Sequence, residues 1–275
     1  MDAGLSEVTL QSSLADYAMA EHRELEVVHL TGEVTTIGRH AFYNCRHLRR
    51  ISFWDTVKDI GDGAFKNCEE LSELIIYQSG RGNYAGMKSI LSELTGAFTV
   101  FLVKEGQTVG SFYFPPYLHD YEENNEARII NQVTYGAGVH YRECVREAGI
   151  DLAGYDRTFR WCVNLADEVA WRVAYYRCTC PVELREEDRL RYREWLYAKR
   201  SEVLRELTGT EMVPTVEQGS MTALRHWLAL DIYQTDEEWM EAIEQVKDEG
   251  KWEAVSLLMQ ERQKRYGERK RKFEF

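Results

Sequence analysis

The sequence predicts an α+β protein: a short solenoid closed by a capping β-hairpin, then an all-α domain of helical hairpins. Three observations predict it. A motif recurs with a 23-residue period, two apolar runs flank a turn near residue 105, and apolar residues beyond about residue 117 follow helical spacing. The predicted domains are residues 1–116 and 117–275.

The repeat unit is clearest in "IGRHAFYNCRHLRRI" (Ile37–Ile51), which returns as "IGDGAFKNCEELSEL" (Ile60–Leu74). A degraded copy begins at Leu14, which precedes Ile37 by the same period. A fixed period between about 20 and 50 residues is typical of solenoids, whose units bury their apolar faces against one another. The identical positions one period apart are Ile37/Ile60, Gly38/Gly61, Ala41/Ala64, Phe42/Phe65, Asn44/Asn67, Cys45/Cys68 and Leu48/Leu71.

The motif I-G-x-x-A-F-x-N-C-x-x-L-x-x-I resembles the bacterial leucine-rich repeat of BspA-like proteins, over about residues 14–77. The resemblance implies a leucine-rich repeat solenoid and a binding module. Its partner would be a protein.

The alternation in "LRRISFW" predicts which strand residues are exposed, because successive side chains of a strand point to opposite faces. Ile51 and Phe53 are expected inside. The exposed columns are Val27/Arg50/Glu73, His29/Ser52/Ile75 and Thr31/Trp54/Tyr77. Aromatic residues and Arg dominate interface hot spots, so the predicted partner-binding residues are His29, Arg50, Trp54, Ile75 and Tyr77. The alternative is that the hairpin or the second domain covers this face and makes Trp54 and Tyr77 internal packing residues.

The cysteines of the motif are expected in the core rather than in a reactive site. Cys45 recurs as Cys68, and Phe42 as Phe65, which indicates stacked core positions. His40 and His47 are replaced by Gly63 and Glu70 in the second copy, so both histidines belong to the variable exterior.

The hairpin is predicted within "AFTVFLVKEGQTVGSFYF", where Lys-Glu-Gly-Gln joins two apolar runs. It would cover the edge strand of the last repeat. In the second half, "EEDRLRYREWLYAKRSEVLREL" predicts one long amphipathic helix, and Thr235 with Glu238 forms a capping box. The segment "KDEGKWEAVSLLMQER" is similar to the helix-Gly-helix of an ankyrin repeat.

Composition sets the expected surroundings. The fractions of hydrophobic and charged residues, 44% and 29%, are typical of soluble domains, and no run of apolar residues is long enough to span a membrane. The opening residues lack the pattern of a signal peptide, and the six cysteines show no disulfide framework, so the protein is expected in the cytoplasm with reduced thiols.

Two alternative functions remain open at this stage. His140 and Cys144 lie four apart in the sequence, so an enzyme could use them as a Cys/His pair in the helical half. The basic run "RQKRYGERKRKFEF" could bind nucleic acid, although a net charge of −12 disfavours such binding.

No cofactor or metal is predicted. The sequence has no phosphate-binding glycine motif, and neither the cysteines Cys144, Cys162, Cys178 and Cys180 nor the acidic segment around His119 and Asp120 has the spacing of a metal site.

Overall fold

The structure is a computed structural model that describes residues 6–124, 129–165, 167–209, 213–216 and 221–267. The chain packs as two compact units, Met1–Leu184 and Arg185–Phe275. The boundary predicted from the sequence, between residues 116 and 117, lies inside the first unit. A compact unit can contain more than one domain, so the division into 1–116 and 117–275 stays a prediction.

The repeats build a six-stranded sheet in the order β1-β2-β4-β6-β7-β8. Neighbouring strands are parallel except β7 and β8, and the pairs Val27↔Arg50 and Arg50↔Glu73 keep the period of the sequence repeat. The strands are β1 (Glu7–Leu10), β2 (Val27–Leu30), β4 (Arg50–Trp54), β6 (Glu73–Tyr77), β7 (Phe98–Lys104) and β8 (Gln107–Phe114). The other side of each coil is marked by the short parallel pair β3 (Thr36–Ile37) and β5 (Asp59–Ile60). The solenoid predicted from the repeat is therefore confirmed.

Identical residues stack on one another inside the solenoid. The rings of Phe42 and Phe65 are fully buried with centroids 5.3 Å apart. Cys45 Sγ donates to Met19 O and Cys68 Sγ to Phe42 O, both at 3.1 Å, so each thiol bonds a carbonyl of the preceding coil. Both cysteines are buried, which raises the pKa of each thiol, and the prediction of core positions is confirmed.

The motif asparagines fill a turn that most residues avoid. Asn44 and Asn67 have φ of 60° and 63°, in the left-handed region that Asn tolerates better than most side chains. Asn67 Nδ2 donates to Asn44 Oδ1 at 2.6 Å, and Asn44 Nδ2 donates to Glu21 Oε1 at the same distance. The asparagines thus link three successive coils.

The hairpin closes the solenoid as predicted. Strand β7 pairs in parallel with β6 of the last repeat, and β8 returns antiparallel through Glu105 and Gly106, which both have positive φ. Helix α1 (Ala85–Glu93) precedes β7, and its apolar face is buried. The edge of β6 therefore has its backbone partners.

Residues 118–150 differ from the helical character expected beyond about residue 117. Strands β9 (Leu118–Asn124) and β10 (Ile129–Tyr135) form an antiparallel ribbon, helix α2 (Gly138–Arg142) follows, and β11 (Val145–Arg146) pairs with β12 (Gly149–Ile150). The α+β class is confirmed, but the all-α part begins only at Leu152. The segment "LHDYEEN" is almost wholly polar, so it lacks the apolar alternation by which half-buried strands are recognised.

Helices α3 (Leu152–Leu165) and α4 (Asp167–Thr179) complete the first unit and pack beside the capping hairpin. Tyr155 Oη donates to Tyr113 O at 2.6 Å and accepts from Tyr113 N at 3.1 Å, so α3 bonds the backbone of β8. Arg177 of α4 makes two hydrogen bonds, of 2.8 and 2.9 Å, to buried Asp156 of α3. Such a paired and hydrogen-bonded charge is tolerated in the interior, whereas either partner alone would be costly.

Helices joined by loops make up the described residues of the second unit. Its helices are α5 (Glu186–Ala198), α6 (Arg200–Leu207), α7 (Thr222–Ala229), α8 (Asp236–Asp248) and α9 (Trp252–Tyr266). The long helix predicted over α5 and α6 is interrupted at Lys199. The predicted capping box of Thr235 and Glu238 is confirmed, and Gly250 ends the α8 turn with φ of 73°. The ankyrin-like reading of α8 and α9 stays a prediction.

Candidate partner-binding surface

One face of the parallel strands carries the residues that the sequence predicts as binding residues. We call it the repeat face and define it by the exposed-side positions of β2, β4 and β6. Each repeat places the same position at the same height, so the side chains form columns across the sheet. The repeat face is made of Val27, His29, Arg50, Ser52, Trp54, Glu73, Ile75 and Tyr77.

Two of these positions are not accessible, and their predicted exposure is wrong. Ser52 is 1% exposed and Ile75 is 5% exposed. Ile75 lies opposite Phe101 of β7, whose ring packs edge-on against Tyr176 of α4 with centroids 5.9 Å apart. The alternative that other elements cover this face is therefore correct at the hairpin end, and Ile75 is removed from the candidate contacts.

Trp54 and Tyr77 form the aromatic part of the accessible surface. Both are half-buried, and their ring centroids are 5.2 Å apart at an interplanar angle of 31°. Trp54 also rests over Gly32, where an added Cβ would lie 3.6 Å from Trp54 Cγ. The two rings are therefore held in place by packing while part of each remains open to solvent.

Polar side chains elsewhere on the repeat face are ordered by hydrogen bonds. His29, whose side chain is 34% exposed, hydrogen-bonds Ser52 Oγ through Nδ1 at 2.7 Å and Glu7 Oε1 through Nε2 at 2.9 Å. Arg50 Nε donates to Glu73 Oε2 at 2.6 Å. The charge of Arg50 is thus paired within the sheet, at the opposite end of β4 from Trp54.

Glu7 belongs to a strand that sequence reasoning missed. Strand β1 pairs with β2 through Glu7↔Val27, and this separation along the chain is shorter than the repeat period. A search at the fixed period therefore passes over β1, although the apolar alternation of Val8 and Leu10 in "EVTL" is a signal for a strand.

The residues of the enzymatic alternative do lie together, but they do not form a catalytic pair. Cys144 Sγ donates to the backbone carbonyl of His140 at 3.3 Å, and the His140 ring is directed to Glu143 Oε2 through Nδ1 at 3.4 Å. Burial raises the pKa of Cys144 to about 11. Its thiol is therefore protonated at neutral pH, whereas nucleophilic catalysis needs the thiolate.

The candidate metal ligands do not converge. His119 Nδ1 hydrogen-bonds Thr134 Oγ1 at 2.9 Å, and Cys162 is fully buried. Over the part of the chain that the structure describes, no group of three or more His, Cys, Asp or Glu side chains is arranged to hold a metal ion.

The described cations of the basic C-terminal run are paired with acidic side chains. Arg262 donates to both carboxylate oxygens of Asp236 at 2.7 Å, and Lys264 Nζ lies 2.6 Å from Glu261 Oε1. Arg265 forms an ion pair with Asp231. The remaining cations of this run, Arg269, Lys270, Arg271 and Lys272, lie outside the described residues.

Comparison with known proteins identifies the repeats. The family model described as BspA type Leucine rich repeat region (6 copies) matches residues 4–90. This part of the chain is a BspA-type leucine-rich repeat region, which confirms the resemblance inferred from the motif and extends it over β1 and α1. Leucine-rich repeats of this kind generally mediate protein–protein interaction. No curated protein and no solved structure matches the chain. Among the described helices, none is both long and apolar enough to cross a membrane.

Proposed function

We propose that this protein is a non-enzymatic interaction module that binds a protein partner through the open part of the repeat face. Its contact residues are His29, Arg50, Trp54 and Tyr77. The observation that carries the proposal is the partly exposed Trp54–Tyr77 pair, whose rings pack against each other on the parallel sheet that also holds Arg50.

The composition of this surface supports binding. Trp, Tyr and Arg are the residues most enriched among interface hot spots, because they bury a large area and can also form polar contacts.

The fixed conformations of these side chains also support binding. Trp54 is held by Tyr77 and the Gly32 backbone, and Arg50 by Glu73. Immobilising a flexible side chain at an interface costs about 0.5–1.5 kcal/mol, and this cost is smaller where packing already restricts the side chain.

The width of the open surface restricts the partner. Helix α4 covers the face at β7 and β8, and Ile75 in the middle of β6 is buried, so the open surface runs over β1, β2 and β4 to the Tyr77 end of β6. Neighbouring strands are about 4.8 Å apart, so these four strands span roughly 14 Å. This width suits a helix or an extended loop of the partner better than a broad flat face.

We also propose that the protein works in the cytoplasm. All six cysteines are free thiols, which supports a reducing compartment. The protonated Cys144 thiol does not support the enzymatic alternative. Three cations of the C-terminal run are already ion-paired, which does not support the nucleic-acid-binding alternative.

The experiment is co-purification from the native cell with the full chain and two variants. The double variant Trp54→Ala, Tyr77→Ala is expected to lose the protein that wild type retains. The matched control Tyr17→Ala removes another exposed aromatic ring of the solenoid, one that stacks on His40 away from the repeat face, and is expected to keep the partner.

Circular dichroism establishes that each variant is folded. Recovery of the same partner by the folded double variant would remove this surface from the proposal, and so would an equal loss in the control.

A further inference from the structure

A sizeable cleft lies in the first unit, away from the repeat face. It has a volume of about 490 Å³ and runs between α2 and the length of α3. This volume is within the range of small-molecule sites, about 300–1,000 Å³. The BspA-type repeat ends before these elements, so the repeat's function does not account for the cleft.

Three chemically different groups line the cleft along α3. Asp151 stands just before the helix, Arg157 lies in its second turn, and Trp161 follows one turn later. Residues three or four apart share a face of a helix, so Gly154, Arg157 and Trp161 form one row. With Asp151 included, this side of the cleft is about 15 Å long from Asp151 to Trp161 at the helical rise.

Each of these three side chains has a binding group that no described residue of the protein contacts. Asp151 Oδ1 accepts from Gly154 N at 2.9 Å, whereas Oδ2 has no hydrogen-bond partner among the described residues. The Arg157 guanidinium forms no ion pair with any residue that the structure describes. Trp161 is 64% exposed and makes no ring contact within the described part of the chain.

Two of the side chains that line the cleft, those of Cys144 and Thr158, carry no charge. Cys144 is almost fully buried there and remains a neutral thiol, since burial raises its pKa to about 11. Thr158 Oγ1 donates to Gly154 O at 2.9 Å, so its hydroxyl is held by the helix. An apolar part of a ligand can therefore lie against these two side chains.

We propose that the cleft binds a free amino acid with an aromatic side chain. Its ammonium group bonds Asp151 Oδ2, its carboxylate bonds the Arg157 guanidinium, and its ring packs against Trp161. Side chains of a helix tilt toward its N-terminus. Arg157 therefore extends back toward Asp151, which brings the two charges closer than the roughly 9 Å that separates them along the axis.

A zwitterion fits this lining better than a ligand of one charge. A simple anion that bonds Arg157 meets the carboxylates of Asp151 and Glu143, and a simple cation that bonds those carboxylates meets Arg157. Only a ligand that carries both charges satisfies both groups at once, which is the condition for desolvating them without loss.

The experiment is isothermal titration calorimetry of the full chain with three probes. L-Phenylalanine carries both charges, phenethylamine lacks the carboxylate, and 3-phenylpropionate lacks the ammonium group. Phenylalanine is expected to bind with a dissociation constant below about 1 mM, and each analogue at least about tenfold more weakly, the loss expected for one charge-assisted hydrogen bond.

Variants assign each charge to its residue. Arg157→Gln is expected to bind phenylalanine and phenethylamine equally, and Asp151→Asn to bind phenylalanine and 3-phenylpropionate equally, while Asn keeps the cap of α3. Trp161→Ala is expected to weaken all three probes. The control Trp252→Ala removes another exposed Trp, outside the first unit, and is expected to change nothing.

Circular dichroism again reports folding. Absence of phenylalanine binding to the wild-type chain overturns the proposal. Equal binding of the three probes to wild type overturns it as well, and so does an equal loss in the Trp252→Ala control.

Discussion

Gly61 provides a direct test of how the coils of the solenoid fit together. A Cβ at Gly61 would lie 2.4 Å from Arg39 N and 2.7 Å from Arg39 Cα, in the backbone of the preceding coil. Non-bonded heavy atoms pack at about 3.5–4.0 Å, so Gly61→Ala creates an overlap of roughly 1 Å. The equivalent Gly38 meets Ala15 C at 2.4 Å in the same way. The motif therefore needs Gly at this position because two backbones touch there.

The cost of Gly61→Ala follows from that overlap. The coils must separate, which strains the packing and stretches the hydrogen bond from Gly61 N to Ile37 O, now 2.8 Å. Overpacking costs about 1–3 kcal/mol and a lost hydrogen bond about 1 kcal/mol, while replacing Gly recovers about 0.4–1 kcal/mol from the unfolded chain. The expected net loss is about 2 kcal/mol in the free energy of unfolding. For a unit of this size it corresponds to a fall of roughly 4–8 °C in Tm.

The assay is thermal unfolding followed by circular dichroism, with Gly96→Ala as the matched control. A Cβ at Gly96 meets nothing within 4 Å, and Gly96 belongs to the same unit. Its Tm is expected to stay the same or to rise slightly. Equal Tm values for the two variants would refute the close approach of the coils.

The remaining predictions concern the alternatives and the helical unit. Cys144 is expected to react slowly with a thiol reagent at neutral pH and at the same rate in His140→Ala, because its pKa is raised to about 11; fast labelling that depends on His140 would restore the Cys/His enzyme. Burial raises the pKa of Glu238, but hydrogen bonds from Tyr197 and from the amides of the α8 cap outweigh it, so the net pKa is lowered. The ionised form of Glu238 therefore stabilises α8 fully at pH values above the ordinary carboxyl pKa, and this stabilisation is lost as the pH falls through the lowered pKa of the folded state. The variant Glu238→Gln keeps the capping box and is expected to remove this acid-dependent part of the stability. An unchanged dependence of stability on pH would contradict the prediction. Duplex DNA is expected not to bind the full chain at low salt, and a salt-sensitive complex that disappears on deletion of residues 262–275 would contradict this.

The repeat allowed the sequence to predict strand register as well as fold class. A constant period fixes which side chains share a column, and the pairs of β2, β4 and β6 obey it. The ends of the solenoid depart from that period, since β1 pairs with β2 at a shorter separation, as in Glu7↔Val27, and β7 pairs with β6 at a longer one, as in Glu73↔Thr99. Terminal units meet a neighbour on one side only, so their loop lengths are less restricted. The period of the repeat therefore does not predict strand register at the two ends of the solenoid.

Burial by distant parts of the chain could not be predicted in the same way. Alternation correctly assigned Ile75 to one face of its strand, but it carries no information on what covers that face. Next to Ile75 on this face lies Phe101, which packs against Tyr176 of α4, far along the chain; the carbonyl oxygen of Tyr176 accepts a hydrogen bond from Ser111 Oγ at 2.7 Å. The α3 cleft was not predicted, for a related reason: the pair His140 and Cys144 was visible as a local spacing and was interpreted as a Cys/His pair, whereas Asp151, Arg157 and Trp161 belong to no sequence motif.

The covering helix determines which part of the repeat face is available. Tyr176 packs on Phe101 and lies near Glu73, so the column that holds Arg50 ends against α4. The charge of Arg50 is already paired, so in the proposed complex the aromatic surface of Trp54 and Tyr77 is expected to contribute most of the binding. Because a paired charge adds little long-range attraction, binding at this face is expected to depend only weakly on salt, in contrast to the nucleic-acid binding that a basic tail would give.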